Sequence, residues 1–120
     1  MPNKETPVEG SYPDVPERVL NLPHMTAIVT LFKPSTRRNM PSGMHIPAWI
    51  GREITPEGWP IVHDVAVYLE HAEPLLPGGR ARALVYPISP SHWPPLQQGS
   101  TFELWDAKPF AEVEVVTPLG

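Results

Sequence analysis

The stretch "FAEVEVV", residues 110–116, has the clearest inside-outside pattern in the chain. Successive side chains of an extended strand point to opposite faces, so Glu112 and Glu114 face one way while Val113 and Val115 face the other. A segment of this kind suits a strand with one face on an apolar core and the other in water. The stretch therefore predicts an antiparallel β-structure with one solvated face.

Five more stretches have the β-branched and apolar composition of strands. They are "MTAIVTLF" (25–32), "HIPAWI" (45–50), "IVHDVAVYL" (61–69), "RARALVYPI" (80–88) and "TFELWDA" (101–107). The stretches between them, such as "GREITPEGWP" (51–60) and "EPLLPGG" (73–79), are rich in turn-forming residues. Short strands at a spacing of roughly ten residues are typical of a small antiparallel barrel or sandwich.

Proline excludes a helical protein. The chain has 18 prolines in 120 residues, about three times the usual share. Proline fixes φ and removes a backbone donor, so a long helix needs a proline-free stretch. None is longer than thirteen residues, and an all-β fold is the remaining expectation.

The chain is expected to have two parts. Residues 1–22 are polar and interrupted by four prolines, and we expect a largely flexible N-terminal arm there, because so few apolar side chains cannot offset the ordering entropy. Within it, Val15, Val19, Leu20 and Leu22 could still lie over the barrel. Residues 23–120 are expected to form a single β-barrel domain.

Composition also restricts chemistry and location. The chain has no cysteine, which excludes disulfides, thiol catalysis and cysteine-ligated zinc. No apolar signal segment or membrane span is apparent, and we expect a cytoplasmic protein without membrane association. A net charge of −4 argues against non-specific nucleic-acid binding driven by overall charge.

The order of motifs resembles the C-terminal (third) β-barrel domain of elongation factor Tu. That family has a strand, a loop with Arg, Pro, Gly and a Pro-x-aromatic pair, a Pro-Gly turn before an alternating strand, and two closing strands. The corresponding features here are Arg38, Pro41, Gly43, Met44, Pro47 and Trp49, then "LLPGG" (75–79) before "RARALVYPI", then Leu96, Gly99, "TFELWD" and "FAEVEVV". The resemblance covers about residues 25–117 and implies a six-stranded antiparallel β-barrel of the kind found in translation GTPases.

The chain also departs from that family. It lacks the Gly-x-x-x-x-Gly-Lys-Ser/Thr motif, so we expect no GTP binding by this chain. The family's Gly-Tyr is Gly43-Met44 here, and "AEVEV" stands where the family has its final glycines. In elongation factor Tu this barrel contacts the transfer RNA stem and the GTPase domain, and these departures put both contacts in doubt. The fold can be retained without the task.

No catalytic constellation is convincing in the sequence. His63 and Asp64 are neighbours in a strand and point to opposite faces, so they cannot form a dyad. The other histidines are isolated or, like His71, lie beside a strand end. No Gly-x-Ser-x-Gly elbow surrounds any serine. We therefore predict neither enzymatic activity nor a metal or cofactor.

Aromatic and basic side chains are the better candidates for a functional site. Trp and Arg dominate binding hot spots, and Trp49, Trp59 and Trp93 lie in or beside proline-rich stretches. Trp105, within a strand, is expected to belong to the core. The predicted binding surface consists of Arg37, Arg38, His45, Trp49, Arg52 and Trp59, with Arg80 and Arg82 nearby if the turns bring them together.

These features predict a non-catalytic binding or adaptor module whose partner is a protein or a structured RNA. The alternative is a small enzyme or ligand carrier with a pocket at one end of the barrel. That pocket would contain His45, His63 or His71.

Overall fold

A computed structural model describes residues 12–33, 39–71 and 73–119. Its six strands are β1 (Met25–Leu31), β2 (Met44–Ile54), β3 (Pro60–Leu69), β4 (Arg80–Pro87), β5 (Thr101–Asp106) and β6 (Lys108–Thr117). Among these residues, two single turns of 3-10 helix lie outside the strands, at Glu17–Val19 and Pro90–His92. The predicted all-β fold with six strands is confirmed.

The strands form a closed antiparallel barrel in the order β1-β4-β3-β2-β5-β6, and β6 pairs with β1 to complete the circle. The predicted arrangement of "FAEVEVV" is confirmed: Val113 and Val115 are buried, whereas Glu112 and Glu114 are exposed. β1 alternates in the same way, with Met25, the first of four inward residues, fully buried. Because the barrel is closed, the inward residues of all six strands pack together in one apolar core.

Aliphatic side chains, two methionines and two phenylalanines fill the barrel, and no residue with a polar or charged side chain is buried among the described residues. Trp93 and Leu96 pack against this core from the connection between β4 and β5. The Trp93 ring lies 5.6 Å from that of Phe102 and 5.9 Å from that of His63. Trp93 thus covers the core beside His63, which comes just before the buried residues of β3 begin at Val65.

The structure describes the second half of the predicted N-terminal arm, and there the chain lies on the barrel. Tyr12 is buried in a second apolar layer outside the barrel, together with Tyr68 of β3 and Tyr86 of β4. Val15 and Val19 pack against the same layer, as the sequence allowed. The Tyr86 hydroxyl donates a hydrogen bond to the Leu20 carbonyl at 3.3 Å. We call residues 12–23 the N-terminal strap.

Within the described part of the chain, no helix has the length and apolarity needed to cross a membrane.

Candidate functional site

The connection between β2 and β3 is a two-stranded arm that extends beyond the barrel wall. β5 pairs with β2 only at Ala48 and Trp49, and β4 pairs with β3 from Val65 onward. Beyond the Trp49–Val62 pair, the described part of the chain therefore has strand pairing here only between β2 and β3 themselves, at Ile54 and Pro60. We call residues 51–62 the β2–β3 arm. The sequence predicts a turn-rich connection over 51–60; the structure has a turn only over residues 55–59, because β2 continues to Ile54 and β3 begins at Pro60.

The arm begins at a bulge in β2. Gly51 and Arg52 both have positive φ, 68° and 53°, and the pairing shifts register between Trp49 and Ile54. A bulge of this kind bends a strand and increases its twist. The Trp49 indole N–H donates to the Glu53 carbonyl at 2.8 Å and fastens the bend to the barrel.

A tight turn closes the arm at its tip. The Thr55 amide donates to the Trp59 carbonyl at 2.7 Å, and the Gly58 amide donates to the Thr55 carbonyl at 2.9 Å. The Thr55 hydroxyl also accepts a hydrogen bond from the Trp59 amide at 3.1 Å. These three bonds define the backbone of the tip without help from the rest of the barrel.

The arm carries most of the exposed apolar bulk of the described chain. Of its seven large exposed hydrophobic side chains, four lie on the arm: Trp59 is 70% exposed, Ile54 58%, and Ile61 and Val62 37% each. Ile61 and Val62 are adjacent in a strand, so both faces of the arm present apolar surface. This concentration of exposed apolar side chains makes the arm the candidate interaction surface.

At the base of the arm, Arg52 is already engaged. Its guanidinium carbon lies 5.2 Å from the centre of the Trp49 ring, and its Nη2 donates to Glu103 Oε2 at 2.9 Å. Trp49 also makes an edge contact with Trp105, with 5.2 Å between ring centres. Trp105 is only half-buried and lies outside the barrel core, so the prediction that it is a core residue was wrong. These contacts connect the base of the arm to β5.

The predicted binding residues do not form one surface. Trp49, Arg52 and Trp59 belong to the arm and its base. His45 lies on the outer face of β2 opposite Ala66, next to the N-terminal strap. Arg80 and Arg82 lie on β4, which β3 separates from β2, in an open groove with Glu70 and His71. Arg37 and Arg38 lie outside the described residues.

The three histidines of the alternative hypothesis also lie apart. His63 contacts Trp93 where the core is covered, His71 lies 4.0 Å from Glu70, and His45 faces the strap. Among the described residues, no group of three histidine or carboxylate side chains is arranged to hold a metal ion.

Sequence reasoning missed three of the four apolar residues on the arm. Ile54 falls in the predicted turn-rich connection, Ile61 and Val62 fall at the start of the predicted alternating strand 61–69, and only Trp59 is among the predicted binding residues. One signal was available: Ile61 and Val62 are adjacent and apolar, although a strand with one solvated face should alternate.

The chain matches no protein-family model and no curated protein.

Proposed function

We propose that this protein is a non-catalytic binding module and that it docks a partner protein on the β2–β3 arm. The observation that carries the proposal is the concentration of exposed apolar side chains, with Trp59 at 70% exposure, on a projecting ribbon with a defined turn. Tryptophan is one of the three residue types enriched at binding hot spots. A backbone already fixed in its bound shape loses little entropy on association.

The open edges of the arm favour a protein partner too. In the described part of the chain, neither β4 nor β5 pairs with residues 51–54 or 60–62, so backbone groups along the outer edges of the arm are open to a partner, apart from the Glu53 carbonyl, which accepts from the Trp49 indole. A partner segment can add to such an edge by main-chain hydrogen bonds and place its side chains against Ile54 or Val62. Both apolar contact and strand addition suit a protein.

Charge argues for a protein rather than a structured RNA. Arg52 is paired with Glu103, and Arg80 and Arg82 lie on another strand beside Glu70. Nucleic-acid affinity depends on several cations that contact phosphates together. The described arginines do not supply such a group, and the net charge is −4.

The proposal includes the expectation that the barrel is related to the third domain of elongation factor Tu. Three glycines of the resembling motifs have positive φ in turns: Gly43 just before β2, Gly78 in the turn before β4, and Gly99 just before β5. Turns that need glycine at corresponding points of the two chains support a relation between this barrel and the third domain of elongation factor Tu. We also retain the expectations of a cytoplasmic protein that binds no GTP.

The test compares partner retention by matched variants. Tagged wild-type protein, Trp59→Ala and Leu76→Ala are used to capture partners from cells of the source organism. Leu76 is also exposed, 63%, but lies in the connection between β3 and β4, outside the arm. We expect one protein to be retained by wild type and Leu76→Ala and lost by Trp59→Ala.

The affinities of the same three proteins for the purified partner give the size of the effect. Calorimetry should show at least a 30-fold weaker affinity for Trp59→Ala, the size of a hot-spot loss of about 2 kcal/mol, with little salt dependence. Thermal melts of all three proteins should agree, since Trp59 lies outside the core. Equal affinity of Trp59→Ala would refute docking on the arm. A steep loss of binding with salt, accompanied by captured RNA, would refute the protein partner.

A further inference from the structure

A cavity of about 320 Å³ lies on the flank of the barrel, between the N-terminal strap and the outer faces of β2, β3 and β4. It is lined by strap residues Arg18, Val19, Leu22 and Pro23 and by barrel residues His45, Ala66, Tyr86, Pro87, Ile88 and Pro90. None of these residues belongs to the β2–β3 arm. The cavity is therefore a second site, independent of the proposed docking surface.

The apolar part of the cavity is preformed. Its floor consists of the buried residues Ala66, Tyr86 and Pro87. The strap that forms the opposite wall is held by the Tyr86 hydroxyl bond to Leu20 and by His24, whose ring stacks on Tyr86 with 4.7 Å between centres. The His24 ring also lies within 2.8 Å of the Leu22 carbonyl through Nδ1. A ligand would thus meet a wall already in place.

The side chains of the cavity that can carry charge at neutral pH are all basic. Arg18 and His45 are its two cationic or protonatable side chains, and no carboxylate lines it. This is notable in a chain with 13 acidic and 9 basic residues. Within the described part of the chain, neither side chain has an ion-pair partner. The cavity thus combines an apolar lining with the Arg18 guanidinium, which has no ion-pair partner in the described part of the chain.

We propose that this cavity binds a small monocarboxylate with a compact apolar body. The carboxylate would pair with the Arg18 guanidinium, which presents two parallel donors to such a group. The apolar body would lie against Tyr86, Pro87 and Val19. The volume has room for about ten water-sized groups, which corresponds to an acid of the size of hexanoate or benzoate.

Two probes of equal shape and different charge test this assignment. Backbone amide NMR spectra of the full chain are recorded during titration with hexanoate and with neutral hexanamide. We expect hexanoate to shift the amides of the cavity lining and to bind at least fivefold more tightly than hexanamide. Equal affinity of the two probes, shifts confined to other parts of the barrel, or no binding of hexanoate would overturn the proposal.

Two variants locate the site. Arg18→Gln should weaken hexanoate binding at least fivefold, whereas Arg80→Gln, which removes an arginine from the other groove, should leave it unchanged. Ile88→Trp places a larger side chain at the cavity mouth. Ile88 is already 51% exposed, so the fold tolerates the change, and binding of both probes should be lost. Unchanged binding in Arg18→Gln or in Ile88→Trp would overturn the assignment.

Discussion

Gly58 is the residue on which the shape of the arm tip depends most directly. Its φ is +93°, and a methyl group added at its Cα would meet nothing within 4 Å. Replacing it therefore costs backbone strain alone, about 1 kcal/mol for a residue with a Cβ at positive φ. Because the tip is held by its own hydrogen bonds, we expect Gly58→Ala to open the tip without unfolding the barrel.

Amide hydrogen exchange measures this effect at one bond. The Thr55 amide, bonded to the Trp59 carbonyl, should exchange about fivefold faster in Gly58→Ala, the factor that corresponds to 1 kcal/mol. Core amides of β1 should exchange at the wild-type rate. Gly58→Asn is the matched control, since asparagine tolerates positive φ, and it should lie between the other two. An unchanged Thr55 rate in Gly58→Ala would contradict the strain argument.

The four tryptophans show what residue-level sequence reasoning could and could not predict. Trp59 was assigned to the surface and is largely exposed there. Trp93 is among the aromatic candidates for a binding site, but it packs on the core, whereas Trp105 is expected in the core and lies against Trp49 on the outside. Trp105 follows the alternation of β5, in which Phe102 and Leu104 point inward, so the period-two pattern of this strand already places it on the outer face. The position of Trp93 depends on a connection that packs over Phe102, which no local pattern shows.

At the scale of elements, the N-terminal strap is coupled to the barrel through buried tyrosines. Burial raises the pKa of Tyr86, and the nearby Tyr68 raises it further. Burial also raises the pKa of Tyr12, with Glu70 adding to the effect and Arg82 opposing it. The neutral forms are therefore favoured in the folded protein. Their contribution to stability is present in full below pH about 10 and is lost as pH rises through the folded pKa values.

We expect alkaline pH to destabilise the strap before the barrel. Ionised Tyr86 can no longer donate to the Leu20 carbonyl, so amides of residues 17–22 should lose exchange protection above pH about 10, while urea midpoints fall. Absorbance at 295 nm follows ionisation of the tyrosines. Tyr86→Phe should have a smaller fall in midpoint over the same range. A midpoint that is constant between pH 9 and 11.5 in wild type would contradict the linkage.

The strands were largely predictable and the arm was not. Patterns such as "FAEVEVV" and "MTAIVTL" repeat every two residues because each strand contacts one core, and that local rule is visible in the sequence. The arm has no core to impose a pattern, and Gly51, Pro56 and Gly58 look like residues of a simple loop. Its strand pairing and its exposed apolar faces arise because β5 stops pairing with β2 at Trp49 and β4 pairs with β3 only from Val65, which is a property of two other strands.

At the scale of the whole molecule, the decisive contact joins the first and last strands. β1 and β6 pair along residues 26–31 and 111–117, at opposite ends of the described chain. This pairing removes the edges of an open sheet and distinguishes a barrel from a sandwich. Strand spacing and composition alone allow both a barrel and a sandwich, because neither property shows that β1 pairs with β6. The same closed strand order separates the predicted binding residues. Trp49, Arg52 and Trp59 lie on the β2–β3 arm or at its base, His45 lines the cavity beside the N-terminal strap, and Arg80 and Arg82 lie on β4.

Closure late in the chain and a high proline content together predict slow, multiphasic folding. Barrels dominated by non-local pairing fold in about milliseconds to seconds. In addition, each X-Pro bond is roughly 10–30% cis in an unfolded chain. With 18 prolines, most unfolded molecules should contain at least one non-native isomer. Refolding followed by tryptophan fluorescence should therefore have one phase in that range and slower phases lasting tens of seconds.

Double-jump experiments separate the two causes. A protein unfolded for about one second retains its native isomers, because isomerisation takes about 10–100 s. Such molecules should refold almost entirely in the faster phase, and the slow amplitude should grow as the unfolding delay lengthens. The slow phases should also accelerate with a prolyl isomerase, whereas the fast phase should not. If the slow amplitude were already complete after the shortest delay, it would have to arise from closure of the β1–β6 seam rather than from proline.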